Sequence, residues 1–175
     1  LSEKGRGFQI ANAVEKAEQT WGSRCWLLVL HADTRLNDQA WESIGRHMID
    51  DTAKVGYFKL AYRSNSRLAK LNASLANLRA KLFGLPYGDQ GLLIYAPTLK
   101  KLEGYPRTAL MEDVEMSRKV GKANFICLGD GLTTDASKFE ADGWLKRSFL
   151  HLSCLAMHLF GASNERVARH YHRFS

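Results

Sequence analysis

The sequence predicts an α/β fold in which helices cover a sheet, and three observations support this prediction. Short apolar runs without polar alternation, first among them 26–30, are typical of strands buried on both faces, as in a parallel sheet. Segments with apolar residues at three-four spacing separate these runs and are typical of amphipathic helices. No internal repeat divides the 175 residues, so we expect a main body at 1–143 and a helical tail at 144–175.

The same patterns assign the elements in chain order. Helices are predicted at 8–19, 38–48, 66–83, 97–102, 112–120 and 164–171, and strands at 26–30, 55–62, 92–95 and 125–128. Strand 55–62 alternates in part, so we expect one wetter face, whereas strand 125–128 should be buried. The segment Gly5-Arg6-Gly7 that precedes the first helix is interpreted as a flexible basic turn.

Helix 66–83 carries the clearest apolar stripe. Its members are Leu68, Leu71, Leu75, Leu78 and Leu82. We expect this stripe to pack into the core, because barely two heptads are present and a coiled-coil dimer needs more.

The charge balance limits the classes of partner. With 25 Lys and Arg against 18 Asp and Glu, the net charge is +7, which favours anionic partners such as acidic lipid headgroups or phosphorylated small molecules. Nucleic acid is not an expected partner, because the basic residues are dispersed and neither an RNP-like stretch nor zinc-finger spacing is present. Cys25, Cys127 and Cys154 form no CxxC pair, so we expect a reducing, cytoplasmic compartment.

Three acidic positions follow predicted strands or lie in turns and loops, where ligand-binding and catalytic residues are common. Asp33 follows the first predicted strand, and the carboxyl ends of strands form the ligand crevice of open α/β sheets. A spacing of two in extended chain would turn His31 to the same side as Asp33. Asp89 lies in a turn between two glycines, and Glu112-Asp113 lies at a loop-to-helix junction. Carboxylates at such places hold a divalent cation or accept a proton from a hydroxyl.

Each acidic position also has a plainer interpretation. Asp33 and Thr34 open a turn or cap the following helix, Asp89 sits in a tight turn, and Glu112-Asp113 is a pair of acids at a helix N-terminus.

Four segments in this order resemble the bacterial family 2 glycosyltransferases. They are Gly5-Arg6-Gly7-Phe8-Gln9, Leu30-His31-Ala32-Asp33-Thr34, Gly88-Asp89-Gln90-Gly91 and Met111-Glu112-Asp113-Val114-Glu115-Met116-Ser117-Arg118. They are most similar to the subgroup whose metal motif reads L-H-A-D-T and whose acceptor-side motif reads G-D-Q-G. The segment 161–171 is also similar to that subgroup, so the resemblance covers essentially the whole chain.

The resemblance implies a GT-A fold, a Rossmann-like mixed sheet that binds a nucleotide-diphospho-sugar donor and a divalent metal, Mn²⁺ or Mg²⁺. Asp33 matches the last aspartate of the metal motif, and His31 stands where many relatives carry its first, so both are implied ligands. Histidine would favour Mn²⁺, unless it only lines the ribose. Asp113 matches the general base on the acceptor hydroxyl, with Glu112 beside it, in a reaction that inverts configuration.

The remaining implied contacts are divided between donor and acceptor. On the donor side they are Arg6, Gln9, Asp33, Thr34 and Lys138, and on the acceptor side Gly88, Asp89, Gln90 and Gly91.

The sequence also departs from the family pattern. The P-x-x-N-E strand and loop that grip the base and ribose have no counterpart here, so we expect a sheet truncated on its N-terminal side. Gln9-Ile10-Ala11-Asn12-Ala13 replaces Q-M-N-x-G, and Ser137-Lys138-Phe139 keeps one cation and the aromatic of R-R-W. These departures leave open a second interpretation, a nucleotide-sugar-binding or scaffolding relative that has lost catalysis.

The tail from residue 144 to 160 is too apolar for an exposed helix and too short to cross a bilayer. Lys146, Arg147, His151 and His158 interrupt it. One interpretation folds the tail back onto the core. The other docks it at the headgroups of the cytoplasmic membrane face, beside a lipid-linked acceptor.

Overall fold

A computed structural model describes residues 5–50 and 53–174 of this chain. Its helices are α1 (Arg6–Trp21), α2 (Asp38–Asp50), α3 (Arg67–Phe83), α4 (Ala96–Lys101), α5 (Glu112–Val120), α6 (Ser137–Asp142), α7 (Trp144–Leu159) and α8 (Asn164–Phe174). Its strands are β1 (Trp26–Val29), β2 (Arg35–Leu36), β3 (Val55–Tyr57), β4 (Leu92–Tyr95), β5 (Phe125–Cys127) and β6 (Leu132–Thr133). The predicted α/β class is confirmed.

The main sheet is small and mixed, in the order β1-β4-β3-β5. Strand β4 is antiparallel to both of its neighbours, and its Leu93 is opposite Leu28 of β1 and Gly56 of β3. Strands β3 and β5 are parallel. A separate antiparallel pair, β2 and β6, joins the turn after β1 to the segment after β5.

Helices cover both faces of the main sheet. Leu92 and Ile94 of β4 pack with α1, α4 and α5, whereas Leu93 packs on the opposite face with α2 and α3. This division follows from the alternation of side chains along a strand. The architecture is therefore three-layered, and the loops at one edge of the sheet remain open to form a site.

Three details of the predicted strands are wrong. Strand β1 is an antiparallel edge strand of the described sheet and is only half-buried, so it does not lie inside a parallel sheet. Strand β5 also lies at an edge, and this position leaves Ile126 and Cys127 exposed. Strand β3 ends at Tyr57 and is buried throughout because it has a neighbour on each side.

Helix α3 is turned opposite to the prediction. Its alanines, Ala69, Ala73, Ala76 and Ala80, are buried, and the five leucines of its stripe are 43–57% exposed. The inner face meets Phe58, Leu60 and Leu93, which fill the layer and leave room for only small side chains. Asn77 fixes this rotation, because its side chain accepts from Leu60 N at 2.7 Å and donates to Leu60 O at 3.1 Å.

The glycines around Arg6 form the tightly packed start of α1, so the predicted flexible turn is wrong. A Cβ on Gly7 would lie 2.6 Å from the carbonyl oxygens of Pro106 and Thr108, and a Cβ on Gly5 would lie 2.7 Å from Ala109 Cα. Gly5 also has a φ of 142°, which disfavours other residues. Backbone-to-backbone contact of this kind brings the first turn of α1 directly onto the loop before α5.

The tail packs one face onto the rest of the protein. Helix α7 buries Trp144, Arg147, Leu150 and Cys154, and Leu150 and Cys154 join Val167 of α8 in a separate cluster. The opposite face of α7 is exposed and apolar. In the ranges 5–50 and 53–174, no helix is both long enough and apolar enough to cross a bilayer.

We predict that Gly7→Ala destabilises the fold by about 1–3 kcal/mol, because three backbone atoms of Pro106 and Thr108 lie too close to the new methyl group. Gly45→Ala is the matched control, since Gly45 lies inside α2 with nothing within 4 Å of its Cβ position. Alanine there should stabilise the protein by up to about 1 kcal/mol. Urea unfolding measures both free energies, and equal stability of the Gly7 variant and the wild type would contradict the prediction.

Candidate functional site

A cavity of about 260 Å³ lies where the ends of β1, the 88–91 turn, α5, α6 and α7 meet. Six residues singled out in the sequence line it together: Arg6, His31, Asp33, Asp89, Asp113 and Lys138. They come from five separate segments of the chain, since His31 and Asp33 share one turn, and the folded structure brings them to one place.

Arg6 connects the acidic and imidazole groups of this cavity. Its Nε donates to Glu112 Oε1, its Nη2 donates to Asp113 Oδ2 at 3.3 Å, and its Nη1 lies 2.9 Å from His31 Nε2. Burial lowers the pKa of the guanidinium, but Asp113 and Glu112 more than offset this and raise it above its ordinary value. Arg6 is therefore a permanent cation between two acids.

Asp113 lies at the start of α5 with most of its acceptor capacity used. Its Oδ2 also accepts from Gly88 N at 3.2 Å, and its Oδ1 accepts from Val114 N at 2.9 Å. A carboxylate offers about four lone pairs, so Oδ1 retains the capacity to accept one more proton. Glu112 is buried and does not line the cavity; its role in the structure is to hold Arg6.

The segment after β1 is a turn and not extended chain, because Thr34 N donates to His31 O at 3.0 Å. The expected reason for His31 and Asp33 to face one way is therefore wrong, although both line the cavity. The plainer interpretation of a turn is correct, and Asn37, whose Oδ1 accepts from Ala40 N at 3.0 Å, caps α2.

Asp33 fits a divalent cation better than His31 does. Asp33 is exposed, and its Oδ1 accepts from Thr134 Oγ1 at 3.3 Å. His31 Nε2 lies against Arg6. Burial and Arg6 lower the pKa of His31, which keeps the ring neutral. Within 5–50 and 53–174, no three His, Cys, Asp or Glu side chains form a metal-binding group, so substrate oxygens would have to complete the coordination of an ion held by Asp33.

Asp89 carries the least satisfied carboxyl group of the cavity. Its Oδ1 is enclosed and has no hydrogen-bond partner among the described residues. Burial raises the pKa of Asp89 to about 6, with a further rise from Asp113 and opposition from Arg79 and Arg6. A bound ligand can supply the missing hydrogen bond of this oxygen, by donating to the carboxylate or by accepting from the carboxylic acid.

Another part of the cavity lining is aromatic and combines residues of the main body with residues of the tail. Tyr62 and Phe139 pack edge to face at 5.4 Å, and Phe139 stacks on Trp144 at 4.8 Å. Arg147 donates to Asp142 Oδ2 at 2.6 Å and lies over the Phe139 ring. Burial and Arg147 lower the pKa of the neighbouring His151 to about 4, so that this imidazole is neutral at pH 7.

Sequence reasoning missed the tail's contribution to this cavity. One of the two interpretations of the tail placed Arg147 and His151 at a headgroup surface, but both line the cavity, and Arg147 is buried. Their spacing of four residues on one helix was a signal, because it puts both side chains on one face.

The other predicted contacts lie outside the cavity wall. Gln9 is exposed on α1. Gln90 is buried and structural, because its Nε2 donates to Phe58 O at 3.1 Å and to Asn77 Oδ1 at 3.2 Å. A Cβ on Gly91 would press on Leu30 and Leu132, and a Cβ on Gly88 would lie 2.5 Å from His31 Nε2. Thr34 has a buried hydroxyl without a described partner.

No known family model matches this sequence, and no curated protein or solved structure shows significant similarity to it.

We predict that Asp89→Asn flattens the pH dependence of stability. Because folding raises the pKa of Asp89 from 3.8 to about 6, this carboxyl group stabilises the fold below about pH 4 and loses that contribution as the pH rises through about 6. The full shift corresponds to about 3 kcal/mol. The free energy of unfolding of the wild type should therefore fall between pH 4 and pH 7. In the variant this fall should be smaller, by up to about 3 kcal/mol.

Urea unfolding at the two pH values measures the difference. Asp130→Asn is the matched control, since Asp130 is exposed outside the cavity and pairs only with Lys59 among the described residues. The control should follow the wild type, and an Asp89 variant with the same pH dependence as the wild type would contradict the prediction.

Proposed function

We propose that this protein is a metal-dependent glycosyltransferase of the GT-A type that transfers a sugar from a nucleotide-diphospho-sugar donor to a hydroxyl acceptor, with inversion. The observation that supports the proposal is that one cavity is lined by an exposed carboxylate, Asp33, a carboxylate with a free lone pair, Asp113, and two cationic side chains, Arg6 and Lys138. These are the groups that diphosphate departure and hydroxyl attack require.

The donor side of the proposal depends on Asp33 and Lys138. Asp33 is exposed at the cavity and offers carboxylate oxygen to Mn²⁺ or Mg²⁺. When bound, the metal ion would neutralise the charge that builds on the leaving diphosphate. Lys138 lies at the same cavity and forms no ion pair with any carboxylate in the described part of the chain, so its ammonium is available to phosphate oxygens.

The acceptor side depends on Asp113. The acceptor hydroxyl oxygen forms a bond to the anomeric carbon, the bond from that carbon to the diphosphate breaks, and its electron pair leaves with the diphosphate. The hydroxyl proton moves to Asp113 Oδ1, the oxygen with remaining acceptor capacity. Gly88 N and Arg6 hold Oδ2, which fixes the orientation of the carboxylate toward the cavity.

A nucleotide-sugar-binding protein without catalysis is the second candidate. The ion pairs of Arg6 with Asp113 and Glu112 favour it, because a neighbouring cation makes a carboxylate a weaker base. Both candidates bind the donor, and only the first releases nucleoside diphosphate.

We predict that Asp33→Asn weakens binding of a nucleoside diphosphate by about tenfold or more in the presence of Mn²⁺, because the amide is a poorer metal ligand than the carboxylate. Calorimetric titration of UDP and GDP, with and without Mn²⁺, measures the change. Asp130→Asn provides the control, since Asp130 does not line the cavity. Unchanged Mn²⁺-dependent affinity in the Asp33 variant would refute the assignment.

We predict that Asp113→Asn lowers turnover by a factor of about 10²–10⁴ with much less effect on donor affinity, because the variant lacks only the positioned base. Release of nucleoside diphosphate from a panel of UDP- and GDP-sugars measures turnover. Equal losses of turnover and affinity would assign Asp113 to binding or structure. Donor binding by the wild type without any release would favour the second candidate.

A further inference from the structure

Two helices expose apolar side chains that a folded protein normally buries. On α3 the exposed members are Leu68, Leu71, Leu75, Leu78, Leu82 and Phe83, and on α7 and the residue after it they are Leu145, Phe149, Leu152, Leu159 and Phe160. Leu75 is 57% exposed, Phe149 is 73% exposed and Phe160 is 92% exposed. A set of this size on two helices is typical of an interaction surface. We call these eleven residues the apolar face.

The two halves of the apolar face are adjacent. Asn72 of α3 donates to Ser148 of α7 at 2.7 Å, so the helices touch at these positions. Helical periodicity places Leu68 and Leu75 next to Asn72, and Leu145 and Leu152 next to Ser148. All four leucines are exposed. The two exposed stripes therefore border one seam on the outer surface of the protein.

The two helices that form the apolar face carry charge of one sign. Helices α3 and α7 contain no Asp or Glu, and their exposed charged residues are Arg67, Lys70, Lys81 and Lys146. The acids of neighbouring α6 are already engaged, because Asp142 pairs with Arg147 and Glu140 accepts from Ser64. A second copy of this face would bring like charges together, whereas a surface of anionic headgroups complements it.

We propose that the apolar face docks this protein onto a membrane that contains anionic lipids. The leucines and phenylalanines enter the boundary between headgroups and acyl chains, and the four cations contact lipid phosphates. The proposed attachment is made by the apolar face alone and does not require a helix that crosses the bilayer. The docking surface includes α3 as well as the tail, and its cations are exposed, whereas Arg147 is buried.

Membrane docking does not depend on the proposed function. A lipid-linked acceptor would rest on the proposed function. Vesicle binding tests only the docking.

Cosedimentation with vesicles tests the docking surface. One set of vesicles contains phosphatidylcholine alone. The other contains phosphatidylcholine with phosphatidylglycerol as about a third of the lipid. We expect the wild type to pellet with the anionic vesicles at low salt, and to do so less as salt rises. Failure of the wild type to pellet with anionic vesicles at low salt would overturn the proposal.

Two variants separate the apolar and the electrostatic contributions. The triple variant Leu71→Ser, Leu75→Ser and Phe149→Ser should lose about tenfold or more of the partition coefficient. The double variant Lys70→Gln and Lys146→Gln should lose roughly fivefold per lysine on anionic vesicles only. Binding that neither variant reduces would overturn the proposal.

Trp21→Ser is the matched control, because Trp21 is 73% exposed at the end of α1, on the other side of the sheet. It should bind vesicles as the wild type does, and circular dichroism and thermal unfolding establish that every variant is folded. Light scattering tests whether a second copy of the chain covers the apolar face. A dimer that the triple variant dissociates, with no vesicle binding by the wild type, would assign the face to a second copy instead.

Discussion

The ion pairs of Arg6 are the interaction on which the arrangement of the cavity depends. One guanidinium joins α1 to both acids at the start of α5 and to His31 after β1. Glu112 is buried, and a buried carboxylate without its cation would be strongly unfavourable. The two glycines beside Arg6 make the contact possible, because only a bare backbone can approach the loop before α5 so closely.

The sheet supplies the rigid part of the site, and the loops supply the chemistry. Leu93 of β4 stands between Leu28 and Gly56 and packs with α2 and α3, so it fixes β1 and β3 together. From this fixed centre the chain leaves β1 through His31 and enters β4 through the Gly88–Gln90 turn. The side chains that can bind a ligand or transfer a proton are thus held at the edge of a well-packed core, as is common in α/β proteins.

Much of the fold could be predicted from the sequence, because its apolar runs and helical periods are strong. The orientation of α3 could not, since leucines and alanines both recur at helical spacing and hydrophobicity alone ranks leucine first. The volume beside Phe58 and the two hydrogen bonds of Asn77 decide the matter, and both are tertiary properties. Strands β2 and β6 have two residues each, too few for any pattern to show.

The cavity was predictable on one side only. The acids and Arg6 follow from local motifs, whereas Arg147, His151 and Tyr171 reach the cavity through the packing of α7 and α8. Helical spacing puts Arg147 and His151 on one face of a helix, but local sequence does not decide whether that face packs onto the core or meets a headgroup surface.

Helix α7 forms a shared wall between the cavity and the outside of the molecule. Arg147 and Phe149 are two residues apart and point in nearly opposite directions, one into the cavity and one outward. The thickness of a single helix, about 10 Å with its side chains, separates the two sides. A partner on the outer face of α7 therefore contacts the same helix that carries Arg147 and His151. A small rotation of this helix about its axis would change the shape of the cavity without any change in the sheet.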